Sequence, residues 1–172
     1  MYENALAGFF NGGRVPFGYE SVTVANFGDK AKRKLTIVEA EAEIVRQIFR
    51  LARFGKGSGP MGARAVATWL NERGYSLRGA RFNNSNTADI FSSLHYLGYY
   101  HDGKSDEYGD PFPESSWVRV PCPAIIDESE FLEVAALRAL RSPKATPPRV
   151  TTVSQCFPRL SRNAEALAAE RV

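Results

Sequence analysis

The sequence predicts an α+β domain that is mainly helical, with a helix-turn-helix-like core and small β-hairpins. Three observations carry that expectation. Apolar residues recur at helical spacing in four separate stretches. Two other stretches alternate strand-forming residues with turn residues. Between Gly59 and Gly98, two short apolar-faced helices flank a basic, glycine-punctuated connection. With 172 residues, 44% of them hydrophobic, the chain can bury a sizeable core without disulfide or metal staples.

Residues Met1 to Phe10, including Ala5, Leu6, Ala7, Phe9 and Phe10, read as the end of a helix within positions 1–12, stopped by Gly12 and Gly13. The run Gly13-Arg14-Val15-Pro16-Phe17-Gly18-Tyr19 reads as an extended connector, because Pro16 fixes one dihedral and the glycines permit close backbone approach. Val22, Thr23 and Val24, a turn around Asn26 to Asp29 and a return through Leu35 predict a first hairpin carrying Lys30, Lys32, Arg33 and Lys34.

Thr36 followed by Glu39 predicts a capping box. It would open a helix whose core face is Ile44, Val45, Ile48, Phe49 and Ala52 and which ends near Gly55. Gly55 to Pro60 reads as a short flexible joint, since it lacks the Gly-Lys-Ser/Thr ending of a nucleotide loop. A second helix over about Met61 to Arg73 should bury Ala63, Val66, Ala67 and Leu70, with Trp69 beside that face and Gly74 as C-terminal cap. The interval Tyr75 to Asn86 is longer than the turn of about 3 to 4 residues in a minimal helix-turn-helix, so an elaborated version is expected.

A third helix, about Thr87 to His95, should bury Ile90, Phe91 and Leu94. Tyr96 to Tyr100, a polar stretch through Asp110 and a strand from Trp117 to Val120 predict a second hairpin with a long loop. Asp127 and Glu130 repeat the capping pattern before a fourth helix with a broad stripe of Phe131, Leu132, Val134, Ala135, Ala136 and Leu140. Positions 13–142 thus form the expected domain. Residues 143–172 read as a proline-marked linker or tail, in which Asn163 to Glu170 is compatible with an isolated helix.

Composition excludes several classes of function. Cys122 and Cys156 have no second Cys or His at ligand spacing, and His95 and His101 have no matching carboxylates, so neither a metal nor another cofactor is expected. Ser92, Ser93, Ser115 and Ser116 lack a nucleophile-elbow context. Asp102, Asp106, Glu107 and Asp110 lack calcium-loop spacing and read as a solvated hairpin tip. No apolar run approaches the roughly 20 residues needed to span a bilayer, and the start of the sequence lacks a signal-peptide layout. A cytoplasmic protein without a membrane partner is expected.

The charge is informative in its distribution. The net formal charge is only +3, yet Arg50, Arg53, Lys56, Arg64, Arg73, Arg78 and Arg81 face a single acid, Glu72, across that stretch. The field is followed by Asn83, Asn84, Ser85, Asn86 and Thr87, whose small amide and hydroxyl groups can cap a helix or hydrogen-bond base edges and phosphates. Nucleic acid is therefore the leading expected partner. Asn83 to Thr87 are candidates for base readout, with capping as the competing role. Arg64, Arg78 and Arg81 are candidates for phosphate contacts. Arg14 is a candidate for minor-groove insertion, with packing as the competing role of the connector, in which at least one of Phe17 and Tyr19 is expected to anchor it to the domain. Arg33 and Lys34, with Lys32, are weaker candidates for backbone contact.

The ordered series Gly13 to Tyr19, Glu-Ala-Glu-Ile-Val-Arg-Gln-Ile-Phe (Glu41 to Phe49), Ala-Thr-Trp-Leu-Asn-Glu-Arg-Gly (Ala67 to Gly74), Ile90 to Leu94, Tyr96 to Tyr99 and Ala124 to Asp127 leading into Phe131 and Val134 resembles the recombinase domain of the large serine recombinases. The resemblance covers about Gly12 to Arg141. It implies a double-stranded-DNA-binding module, itself without catalysis, downstream of a domain whose serine attacks a DNA phosphodiester and which this sequence does not contain. It further implies a bacterial or phage-encoded protein, monomeric as this fragment, in a full-length enzyme that is a dimer on each site and a tetramer in synapsis. The family commonly continues into a zinc ribbon; Cys156 stands alone, so zinc is not carried over. Two other readings stay open on the residues themselves. One is an autonomous winged-helix-like transcription regulator with the second hairpin as wing. The other is a protein-interaction module whose Tyr96, Tyr99 and Tyr100 face a partner.

Overall fold

A computed structural model describes residues 2–27, 30–57, 59–103 and 112–141. Among them, five α-helices and two antiparallel hairpins follow in the order α1 (Tyr2–Leu6), β1 (Tyr19–Phe27), β2 (Lys30–Ile37), α2 (Glu39–Phe54), α3 (Ala63–Glu72), α4 (Asn84–Ser92), β3 (Tyr99–Asp102), β4 (Val118–Pro121) and α5 (Glu128–Leu140). A 3₁₀ turn, Leu94–Leu97, joins α4 to β3. This is the α+β, mainly helical architecture with small hairpins that the apolar periodicity predicts. The chain divides into two compact units, Met1–Ala139 and Leu140–Val172. None of the helices among the described residues is long and apolar enough to cross a membrane.

Helix α2 is the centre of the core because its apolar residues return every three or four positions to one face. Ala42, Val45, Ile48, Phe49, Leu51 and Ala52 are all buried. Phe49 meets Phe91 of α4 edge-on at 5.6 Å, stacks with Phe131 of α5 at 5.9 Å and touches Tyr96 at 6.2 Å. One ring thus joins three elements, and such aromatic pairs add to the area they bury. Arg53 ties α2 to α5 a second time through ion pairs with Glu130 and Glu133.

The two hairpins differ in their seating. In β1–β2, Tyr19 pairs with Ile37 and Phe27 with Lys30, with a bulge between Thr23 and Ala25. Tyr19 and Leu35 are buried in the core and Ile37 packs partly against it, while Val22 and Val24 are exposed. In β3–β4, Tyr99 pairs with Pro121 and Asp102 with Val118, and Tyr100, Val118 and Val120 are buried.

Several local expectations are corrected. Helix α1 ends at Leu6, and Phe10 already pairs with Arg33 of β2 through a 2.7 Å amide-to-carbonyl bond. Thr36 does not cap α2, because it lies inside β2 opposite Glu20; the N-cap is Val38, without a side-chain bond. The segment after Gly55 closes back on α2, with the Met61 amide donating to the Leu51 carbonyl at 3.2 Å. The α5 stripe is narrower than predicted: Phe131 and Val134 are buried, while Leu132 is exposed. Tyr96 and Tyr100 are buried, which removes them as partner-facing aromatics. Tyr99 lies half-buried under the Arg119 guanidinium, 3.7 Å from its ring centroid. Cys122 is a free, half-buried thiol whose pKa burial pushes up to about 11. The acidic loop positions 106, 107 and 110, Cys156 and the tail from position 143 lie outside the described residues.

Candidate nucleic-acid interface

Helix α4 starts earlier than its apolar residues suggest. Asn83 is the N-cap, so Asn84, Ser85 and Asn86 form the first turn. The Asn86 amide donates to the Asn83 side-chain oxygen at 2.9 Å, and the Asn83 amide donates to the Asn86 side-chain oxygen at 2.8 Å. This reciprocal pair satisfies amides that the helix leaves without partners. Asn86 also donates its side-chain nitrogen to the Arg81 carbonyl at 3.1 Å, so its carboxamide is committed to the backbone. Thr87 is completely buried and has no surface to offer a ligand, which corrects its assignment to base readout. Asn84 and Ser85 are exposed. No acidic side chain occupies the first turn, leaving the positive end of the helix uncompensated.

Two clefts flank this turn. One, of about 440 Å³, is lined by Arg64, Thr68 and Asn71 of α3 and by Phe82, Asn83, Asn84 and Ser85. The other, of about 230 Å³, lies between the connector and α4, with Arg14, Pro16, Leu77, Asn86 and Asp89 among its walls. Arg14, Arg64 and Arg81 are exposed, and none of the three makes an ion pair among the described residues. The fold therefore gathers Arg64, Asn84 and Ser85 in one cleft at the helix end, with the Arg81 backbone held there by Asn86 and Arg14 in the second cleft beside Asn86. Arg33 and Lys34 belong to another surface. Lys32 and Lys34 sit over the Phe9 ring at 4.7 and 5.4 Å, and Lys34 lines a cleft with Leu6 and Pro121.

Each wall beside α4 is held by a side chain that binds backbone. On one side Asn71 donates to the Phe82 carbonyl at 2.7 Å and accepts from the Phe82 amide at 3.0 Å, fixing the residue before the cap. On the other side Arg78 is committed to the protein, which corrects its assignment to phosphate. Its guanidinium donates to both carboxylate oxygens of Glu41 at 2.8 and 2.9 Å and to the carbonyls of Val15, Pro16 and Tyr19. Glu41 in turn accepts the Gly18 amide at 2.8 Å. The Arg78 hydrogen bond holds the Glu41 carboxyl below its ordinary range, with the Gly18 amide acting in the same direction and burial opposing both.

The connector is anchored as its aromatics suggest. Phe17 is buried against Phe82 at 5.9 Å, and the buried Tyr96 hydroxyl donates to the Phe17 carbonyl at 2.9 Å. The Tyr19 hydroxyl donates toward the carbonyls of His95 and Pro123, 2.7 and 2.8 Å away. Sequence reasoning missed Asn71, Glu41 and Asp89. Asn71 and Glu41 act on residues distant in sequence, and Asp89 is exposed at the cleft with nothing local to mark it.

A mostly helical module with an unpaired basic and amide-bearing rim around one helix end defines the class: a helix-turn-helix-like domain. The family model described as Recombinase matches residues 39–141, and the chain belongs to that family. Two solved structures share its fold. One comes from work on the sequence requirements of the Listeria innocua prophage attP site, with a TM-score of 0.52 and 19% identity over 80% of this chain and 48% of that one. The other is a crystal structure of a large serine recombinase–DNA complex, with a TM-score of 0.52 and 18% identity over 80% of this chain and 37% of that one. The chain thus spans less than half the length of either. No curated protein sequence matches it.

Proposed function

We propose that this chain is the double-stranded-DNA-binding recombinase domain of a site-specific large serine recombinase. The observation that carries this reading is the unpaired set Arg14, Arg64, Arg81, Asn84 and Ser85 around the uncompensated N-terminus of α4. The first turn of α4 enters the major groove. Asn84 reads a base edge, Ser85 and the free first-turn amides meet phosphate, and Arg64 and Arg81 neutralise the flanking backbone. Asn83 contributes its remaining side-chain N–H groups from the cap. Arg14 enters the neighbouring minor groove, and Arg33, Lys34 and Lys32 add backbone contacts from the first hairpin.

In the intact enzyme the domain positions an upstream catalytic domain for strand exchange. Two copies occupy each site and four assemble in synapsis, in the cytoplasm on DNA. The test is titration of candidate half-site and scrambled duplexes at several salt concentrations. Arg64→Ala should weaken binding to all duplexes and lower the salt slope by about one unit. Asn84→Ala should leave the slope alone and relax preference at one base position, worth about 1 to 3 kcal/mol. Unchanged slope and selectivity in both variants would remove α4 from the interface.

A further inference from the structure

Arg78 is, among the described residues, the one non-glycine residue with positive φ, at 50°. It sits in a tight turn closed by reciprocal backbone bonds between Leu77 and Ala80, 2.7 and 3.0 Å, and is followed by Gly79 at φ 86°. Positive φ at both central positions suits Gly, Asn and Asp, and an arginine gains nothing from such a backbone. An unfavourable conformation at a specific residue points to what its side chain does. Here the side chain turns back across the cleft and grips the connector.

The grip needs a planar fork. One edge of the guanidinium, Nε and Nη2, takes the Glu41 carboxylate in bidentate fashion, while the N–H groups of Nη1 and Nη2 also reach the carbonyls of Val15, Pro16 and Tyr19. Glu41 completes it by accepting the Gly18 amide. The pair therefore binds both donors and acceptors of the segment immediately after Arg14, which lines the same cleft as Arg78. A lysine ammonium at that place keeps the charge and cannot span these acceptors.

We propose that Arg78 and Glu41 are positioning residues for DNA recognition: they fix the path of the connector and so aim Arg14 at a narrow minor groove, without touching DNA themselves. The inference rests on the reading of the connector as a DNA contact. Preference for a narrow groove would then be set partly by an intramolecular ion pair.

The experiment compares the full chain with Arg78→Lys, Arg14→Ala and the double variant. Thermal unfolding is measured alongside binding to a duplex with a central A-tract and to a G·C-rich duplex of equal length. In free protein, trypsin cleavage at the Arg14–Val15 bond reports release of the connector, expected to be about tenfold faster in Arg78→Lys. The ratio of A-tract to G·C affinity should fall about tenfold in Arg78→Lys and equally in Arg14→Ala. The double variant should lose no more than either alone. If Arg78→Lys keeps the wild-type ratio while Arg14→Ala loses it, the positioning role is wrong although the connector contacts DNA. If Arg14→Ala changes neither ratio nor salt slope, the connector reading fails and the positioning role with it. Should Arg78→Lys not fold, Glu41→Gln carries the same comparison, because it keeps the side-chain shape and removes the acceptor charge. Equal loss on both duplexes with no change in ratio would mark the pair as purely structural.

Discussion

The two walls beside α4 reach the same end by different physics. Asn71 holds Phe82 with a neutral amide that imitates a backbone neighbour, donating to its carbonyl and accepting from its amide. Arg78 and Glu41 hold the connector with opposite charges. The Asn71 wall belongs to a helix already capped by its own asparagines, so a short neutral clamp suffices. The connector has no such internal order, and its carbonyls need a donor with several arms. A neutral clamp is insensitive to pH and salt, whereas a partly exposed charged clamp responds to both. The comparison teaches where this domain is rigid and where solution conditions can reach its binding surface.

The largest effect is expected where the walls meet. Phe82 and Phe17 pack edge-on, one from each wall, and both are buried. Phe82→Ala should cost about 3 to 5 kcal/mol of unfolding free energy by urea titration. A smaller loss would mean that the walls are seated independently. Next comes Gly18, at φ 94°, where an added Cβ would stand 2.9 Å from the Ile125 side chain. Gly18→Ala should cost about 2 kcal/mol through backbone strain and crowding, read as a lowered melting temperature. It breaks the connector wall alone. Asn83→Ala breaks the α4 side alone by removing its N-cap, with an expected loss of about 1 kcal/mol in the same measurement. If Asn83→Ala proves costlier than Gly18→Ala, the α4 wall is the less self-sufficient of the two.

The helices were legible because their signals are local: apolar residues on one face, glycine at the end, a proline or polar stretch beyond. The same signals misled where a neighbouring element competed. Thr36 and Glu39 have the spacing of a capping box, but β1 captures Thr36 into a strand. The polar run Asn83 to Thr87 looked uniform, and only the packing of α4 separates a buried Thr87 from an exposed Asn84. The turn at Leu77 to Ala80 was hidden because Arg-Gly is not a favoured dipeptide for it. The Arg78–Glu41 pair spans 37 positions and carries no periodicity that a single sequence could reveal. Arginines in a basic run look alike until the fold commits some of them: Arg53 to α5, Arg78 to the connector, Arg73 to the Trp69 face.

The smallest effect is the one that best separates the two walls. Hydrogen bonding from Arg78 lowers the pKa of Glu41 from its ordinary value of 4.5 in the folded protein. In the unfolded chain that interaction is gone. Between the lowered value and 4.5 the unfolded state binds more protons, so stability rises with pH across that interval. The contribution is complete above 4.5 and is lost as pH falls through the folded value. Because the Arg78 side chain is 43% exposed, solvent screening limits the pair to about 0.5 to 1 kcal/mol. Glu41→Gln should therefore be less stable than the wild type at neutral pH by about that amount, and the gap should close on acidification and shrink with added salt. Asn71→Ala removes a clamp with no titrating group, so its deficit relative to wild type should stay constant through the same acid range. Urea midpoints of the three proteins, taken from neutral pH to below the carboxylate range, distinguish the cases. A Glu41→Gln gap that does not change with pH would show that the carboxylate charge is not what holds the connector.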